Sequence, residues 1–223
     1  MEKLVAIVLM AGLSERFGGP TNKQLSLLKG KPVFEYSIET FANSKHIKNL
    51  VIVINKNNEG KIREFIKEKA INATITYGGK TRQESVKNGL NSLSLSENDI
   101  VIIHDGARPL VTEKDIENVA KEAKKYGASS TYVESINTVS TIGKNSEVKQ
   151  FIERKTVALI QTPQAFKYGI LVNAHKLAKN NDATDDCTLI LNAKGKVKLV
   201  YGGNRLHKIT TKEDIIYLEG FLK

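Results

Sequence analysis

The chain has 223 residues, 40% of them hydrophobic, a formal charge of +10 and a single cysteine. That length and apolar content suffice for a well-buried core, while the lone Cys187 excludes an internal disulfide and a thiolate zinc cluster and reads as a free, shielded thiol. No apolar run approaches the roughly 20 residues of a membrane span, and the excess lysine is scattered rather than gathered into a basic block, so neither a membrane nor a nucleic-acid partner is expected.

Val5 to Leu9 is a short, β-branched apolar run of the kind that forms a strand buried on both faces. The segment from Met10 to Gln24 follows, carrying Gly12, Gly18 and Gly19 together with Arg16 and Lys23. Such a loop can bend close to a ligand and turn backbone N–H groups toward phosphate oxygens. It matches neither common phosphate loop, because Ser14 stands where a dinucleotide fingerprint needs its second glycine and Gly18-Gly19 leads into Pro20 instead of Lys-Ser/Thr. Pro32 is placed as a first-turn proline before a helix over 33–41.

Further strand-like runs lie at Leu50 to Ile54, Thr74 to Tyr77, Ile100 to His104, Ser129 to Val133, Val157 to Ile160 and Val197 to Val200, with helical patterns between most of them. Thr81 with Glu84 reads as a capping box, and Thr112 with Asp115 and Thr211 with Asp214 are similar helix starts. The alternation predicts a Rossmann-like α/β fold, a mostly parallel sheet with helices on both faces, over a single domain of residues 1–223. Ligands bind at the carboxyl ends of such strands, where the first loop, the Gly78-Gly79 loop and the Asp105 loop could share one mouth. Residues 134–155 break the pattern with short polar and β-branched stretches around Gly143 and Asn145, and are expected as a projecting hairpin.

Arg16, Arg82, Arg108 and Arg154 fall inside or beside these loops, which favours bound phosphates over a diffuse polyanion surface. Asp105 at a strand end is a hard oxygen ligand suited to Mg²⁺, and equally a turn or cap residue. His104 has no partner at metal-ligand spacing and reads as structural.

The first loop, with Ala11-Gly12, Arg16-Phe17-Gly18 and Asn22-Lys23-Gln24, is similar to the signature of nucleotidyltransferases that activate small phosphates with CTP. Gly78-Gly79-Lys80-Thr81-Arg82-Gln83-Glu84-Ser85-Val86, His104-Asp105-Gly106-Ala107-Arg108-Pro109, Gln161-Thr162-Pro163-Gln164-Ala165-Phe166 and Thr184-Asp185-Asp186 follow in order. As a set they resemble the 2-C-methyl-D-erythritol 4-phosphate cytidylyltransferase family. The resemblance implies a cytoplasmic enzyme that joins CMP from CTP to a small polyol phosphate with Mg²⁺ as cofactor. It implies Arg16, Lys23 and Lys208 as catalytic cations, and CTP contacts from Met10, Ala11, Gly12, Leu13, Ser14, Gly79, Lys80, Ser85, Asp105 and Gly106. Asp105 would hold the metal, while Thr138, Arg154, Thr162 and Thr184 would meet the acceptor. The segment at 134–155 becomes an arm exchanged in a homodimer.

This chain carries Asn137-Thr138 where the family usually has Asp-Thr, and Leu206-His207-Lys208-Ile209-Thr210 where it has Asn-x-Lys-(Ile/Val)-Thr. Ribitol 5-phosphate cytidylyltransferases share the Lys-Gln and Thr-Pro-Gln segments, but Arg82 to Leu90 and Thr184-Asp185-Asp186 look closer to the methylerythritol family. A molybdopterin nucleotidyltransferase would share the first loop and leave the later motifs unexplained. A non-catalytic basic module would instead predict salt-sensitive nucleic-acid binding with no CTP turnover.

Overall fold

In the computed structural model, which describes residues 2–12, 17 and 23–222, each of the apolar runs becomes a strand of one seven-stranded sheet. The chain runs through β1 (Leu4–Leu9), the short hairpin of β2 (Leu27–Leu28) and β3 (Lys31–Pro32), α1 (Val33–Ala42), β4 (Asn49–Ile54), α2 (Glu59–Glu68), β5 (Thr74–Tyr77) and α3 (Arg82–Asn91). It continues through β6 (Ile100–Asp105), α4 (Glu113–Tyr126), β7 (Ala128–Glu134), β8 (Val139–Ile142), β9 (Val148–Ile152) and β10 (Ala158–Lys167). The last elements are α5 (Tyr168–Leu177), α6 (Asp186–Asn192), β11 (Lys198–Tyr201) and α7 (Glu213–Glu219).

The strand order is β11-β7-β10-β6-β1-β4-β5. Every neighbouring pair is parallel except those made by β10, which runs antiparallel to both β6 and β7. Strand β1 is buried along its whole length, as its uninterrupted apolar run requires. Ala6, Val8 and Met10 pack with Phe34 and Ile38 of α1, Ile62 and Phe65 of α2, and Ile116 and Val119 of α4. Ile7 and Leu9 point the other way, toward Val86 and Leu90 of α3, Leu171 of α5 and Ile190 of α6. The period-2 alternation of one strand thus sends its side chains into two separate cores. Each fully buried Ile, Leu or Phe contributes roughly 1.5–3 kcal/mol by leaving water.

Strand β10 runs on through Lys167, past the end expected at Ile160, so the Gln161 to Phe166 motif is part of the sheet. Pro163 obscures this in the sequence, since proline cannot donate to a ladder. The pairing with β7 shifts register between Ile160 and Gln164, and this irregularity accommodates the proline. Thr112 and Asp115 make the full capping box that starts α4. Asp214 instead accepts from the N–H groups of Thr210 and Thr211 (2.7 and 2.8 Å).

Strands β8 and β9 form an antiparallel sheet of their own, so 134–155 is a hairpin as expected. Its flanks and strands leave Ile136, Ile142 and Phe151 77%, 79% and 68% exposed. A lone two-stranded hairpin is marginal in water. No helix among the described residues is long and apolar enough to cross a membrane.

Candidate active site

Strands β4 and β5 lie to one side of β1, and the chain then returns to place β6 on the other side. This reversal is a topological switch point, where the loops leaving adjacent strands separate and open a crevice. Leu9 and Asp105 are register partners at that end, and the Gly106 N–H donates to the Leu9 carbonyl (3.0 Å). A Cβ on Gly106 would overlap the Met10 sulfur, so the buried Met10 side chain occupies the space that this glycine leaves. Two amides brace the first loop from β4: Asn58 Nδ2 donates to the Met10 carbonyl (2.7 Å) and Asn55 Nδ2 to the Ala11 carbonyl (3.0 Å).

The opposite wall is the start of α3. Thr81 accepts from the Glu84 N–H (3.1 Å) as a capping residue should. The Glu84 carboxylate reaches one residue further than a capping box requires and accepts from the Lys80 N–H (2.7 Å). Ser85 Oγ accepts from the Gly79 N–H (3.1 Å) and donates to the Thr81 carbonyl (2.9 Å). These bonds hold the glycine loop without a ligand and present a preformed wall.

Between the walls is a cleft of about 500 Å³, within the size range of small-molecule sites. Ala11, Gly12, Lys23, Gly79, Lys80, Ser85, Asp105 and Lys208 of the predicted set line it. Met10, which is buried, and Gly106, which packs against its sulfur, are not among the lining residues. Thr162 is buried and Thr184 is exposed ahead of α6; neither is among the lining residues. Thr138 and Arg154 sit on the arm, where Arg154 Nη1 donates to the Ile136 carbonyl (3.0 Å). No described arm residue lines the cleft. Leu13, Ser14 and Arg16 lie outside the described residues.

Among the described residues, four cationic side chains, Lys23, Lys80, Arg82 and Lys208, line the cleft with one carboxylate, Asp105. That balance suits a polyanion such as a nucleoside triphosphate. Lys208 Nζ donates to Asp105 Oδ2 (2.7 Å), Arg82 Nε donates to Oδ1 (3.3 Å), and Arg108 Nε stands 3.9 Å from Oδ2. Burial alone would raise the Asp105 carboxyl, but the charges of Lys208, Arg82 and Arg108 outweigh it and hold the group well below the usual carboxylate range. Asp105 is therefore ionised at any physiological pH. An ionised carboxylate lining the cleft fits Mg²⁺, which commonly takes one or two protein carboxylates and completes its shell with water and substrate phosphates.

Two features behind this cluster escaped the sequence reading. Asn55 and Asn58 were visible only as polar residues after a strand. Asp186 had no task of its own within the Thr184-Asp185-Asp186 motif, yet its Oδ2 accepts from Arg82 Nη1 (2.6 Å) while Oδ1 meets His175 Nε2 (3.1 Å). Arg108, 3.9 Å from Asp105 through Nε, also donates through Nη1 to the Leu206 carbonyl (2.6 Å), which tethers the segment carrying Lys208.

His104 is fully buried against Phe41. Its Nε2 lies 3.1 Å from the Arg108 carbonyl and therefore carries the hydrogen, leaving Nδ1 to accept from Thr162 Oγ1 (3.2 Å). Thr162 Oγ1 in turn accepts from the Asp105 N–H (3.0 Å), so the hydroxyl fixes the strand end that holds the carboxylate. Burial pushes His104 down to about 4. The folded state keeps it neutral while the unfolded chain takes a proton below about 6.5, so its stabilising share is present above that pH and is lost as pH falls from about 6.5 to about 4. We expect the parent to lose on the order of 3 kcal/mol more than His104→Gln across that window. Urea unfolding at a series of pH values measures it, and parallel curves for the two proteins would rule it out.

Comparisons with known proteins cover the whole length of the chain. The profile of the family IspD, 2-C-methyl-D-erythritol 4-phosphate cytidylyltransferase, matches residues 4–223. The chain belongs to that family. It is 39% identical to the 2-C-methyl-D-erythritol 4-phosphate cytidylyltransferase of Clostridium novyi, over 100% of this chain and 98% of the relative. Its similarity to the enzyme of the same name from Thermosipho melanesiensis is also 39%, over 98% and 97% of the two chains. Among solved structures, the 4-diphosphocytidyl-2C-methyl-D-erythritol synthase of Anaerococcus prevotii superposes with a TM-score of 0.86 at 31% identity, covering 99% of this chain and 96% of that one. The fold expected from the alternation of elements is thus the family's fold, with β10 as its one reversed strand.

Proposed function

We infer that this chain transfers the cytidylyl group of CTP to 2-C-methyl-D-erythritol 4-phosphate and releases pyrophosphate, using Mg²⁺ and acting in the cytoplasm as a homodimer. Residues 1–223 would serve as one nucleotidyltransferase domain, with the arm at about 134–155 making the dimer. The observation that carries the reaction is the cluster of cations around Asp105 in a chain that matches this family from end to end.

The acceptor's phosphate oxygen forms the new bond to the α-phosphorus of CTP as the bond to the β-phosphate oxygen breaks, and pyrophosphate leaves with that electron pair. The nucleophile is already an anion, with a second phosphate pKa near ~6, so no histidine base is needed to generate it. The barrier is electrostatic, because two polyanions must meet and charge grows on the α-phosphate and the leaving group. Lys23 and Lys208 supply fixed positive charge at the cleft, and Arg16 is assigned the same task. Asp105 would hold the metal ion, which when bound screens the phosphates and orients them for in-line displacement. Gly79, Lys80 and Ser85 form the wall assigned to the cytosine ring, a rigid surface that would leave a purine no room.

The acceptor is tested by pyrophosphate release from CTP with 2-C-methyl-D-erythritol 4-phosphate and ribitol 5-phosphate side by side. We expect kcat/KM to favour the first by on the order of 100-fold or more, since hydroxyl-recognising sites discriminate strongly. Equal turnover, or a preference for ribitol 5-phosphate, would refute the assignment.

A further inference from the structure

We propose that Asp186 is a positioning residue that draws Arg82 off Asp105 and so keeps one oxygen of that carboxylate available to a divalent cation. The proposal rests on the reading of Asp105 as the metal-holding group. Asp186 opens α6 and its side chain is only 1% exposed. It is 104 residues from Arg82 in sequence, does not itself line the cleft, and has no role in the chemistry derived above.

Arg82 serves two carboxylates unequally. Its Nη1 lies 2.6 Å from Asp186 Oδ2, whereas its Nε reaches Asp105 Oδ1 only at 3.3 Å, and its buried Nη2 has no hydrogen-bond partner. A guanidinium prefers to engage a carboxylate through two parallel N–H bonds. Arg82 does not do so with Asp105, because Asp186 holds its far end. His175, 4% exposed, faces the other oxygen of Asp186 and fixes that carboxylate in turn. On Asp105, Lys208 already occupies Oδ2 at 2.7 Å. Among the described residues Oδ1 has a single long contact, and it is the oxygen left for a cation.

Charge decides the consequence. Burial alone would lower the Arg82 guanidinium, but Asp186 and Asp105 outweigh it and raise it, so it remains a cation throughout. Without the charge of Asp186, Asp105 is the carboxylate Arg82 still bonds, Asp185 acting on it only through its charge, and Nη2 is free to join that bond. Closing on Asp105 would then place a guanidinium where a divalent ion must bind. Partners one shell removed from a metal typically change its affinity by 10–100-fold.

The test is Mn²⁺ titrated into the purified protein and followed by the electron paramagnetic resonance signal of the free ion, with acceptor KM measured separately. Asp186→Asn should weaken Mn²⁺ binding by about ten-fold while leaving acceptor KM within about two-fold, and Asp186→Glu should recover most of the loss. Adding Arg82→Gln to Asp186→Asn should restore Mn²⁺ affinity to the parent value or better, because the competing cation is gone; a merely structural role predicts that the second change makes matters worse. Unchanged Mn²⁺ affinity in Asp186→Asn, or a double variant weaker than the single one, overturns the proposal. Should Asp186→Asn fail to fold, the double variant decides against the parent alone, since it removes a buried pair together: equal or tighter binding supports the proposal and weaker binding overturns it. Parent and Asp105→Asn proteins binding Mn²⁺ alike would overturn both this proposal and the metal assignment beneath it, an outcome distinct from failure of Asp186→Asn alone.

Discussion

Lys23→Ala is expected to lower kcat by on the order of 100-fold or more, with a smaller change in the KM for either substrate. Lys23 lines the cleft together with Gly12 and the start of α3, and in sequence it follows closely on Arg16. A fixed cation in that position is worth most when charge moves onto the departing pyrophosphate, so its removal raises the barrier more than it weakens ground-state binding. Lys23 belongs to none of the apolar clusters, and the variant should fold. The measurement is steady-state pyrophosphate release by protein whose circular dichroism matches the parent. A KM increase with kcat intact would mean that Lys23 only binds CTP, and unchanged values of both would remove it from the site.

The second large effect concerns assembly. Lys23→Ala and Arg154→Ala, each nearly inactive alone, are expected to regain activity when mixed under conditions of subunit exchange. If Arg154 of one chain completes the acceptor site of the other, a mixed dimer has one site with both residues and one site with neither. Random exchange of equal amounts should therefore return about a quarter of the parent activity. The motive is structural: the arm is an isolated two-stranded sheet with large apolar groups in solvent, and among the described residues it contributes nothing to the cleft of its own chain. Verified exchange without recovery, or an active monomer in sedimentation, would refute a shared site.

Much of the scaffold was legible because its signals are local. Val5 to Leu9 and Ile100 to His104 are continuous apolar runs long enough for a strand and too short for a helix, and both lie at the sheet centre, buried on both faces. Thr112 and Asp115 cap α4 as their spacing requires. The misreading of β10 has an equally local cause. Pro163 looks like an interruption, and only pairing with strands on both sides carries the segment through it.

The site divides along the same line. Glycines in the first loop, a strand-end aspartate and a threonine–glutamate helix start are each recognisable from their immediate neighbours, so the sequence by itself determined the fold class and the family. Which charges meet at Asp105 was decided by the tertiary structure. Lys208 reaches it across 103 positions and Asp186 reaches Arg82 across 104, while Thr162 reaches its backbone across 57. Such contacts depend on the order of strands in the sheet and on the reversed direction of β10, neither of which leaves a periodic mark in the chain. A buried ion pair is selected by the space and charge around it in three dimensions, whereas a strand or a cap is selected by its immediate neighbours in sequence.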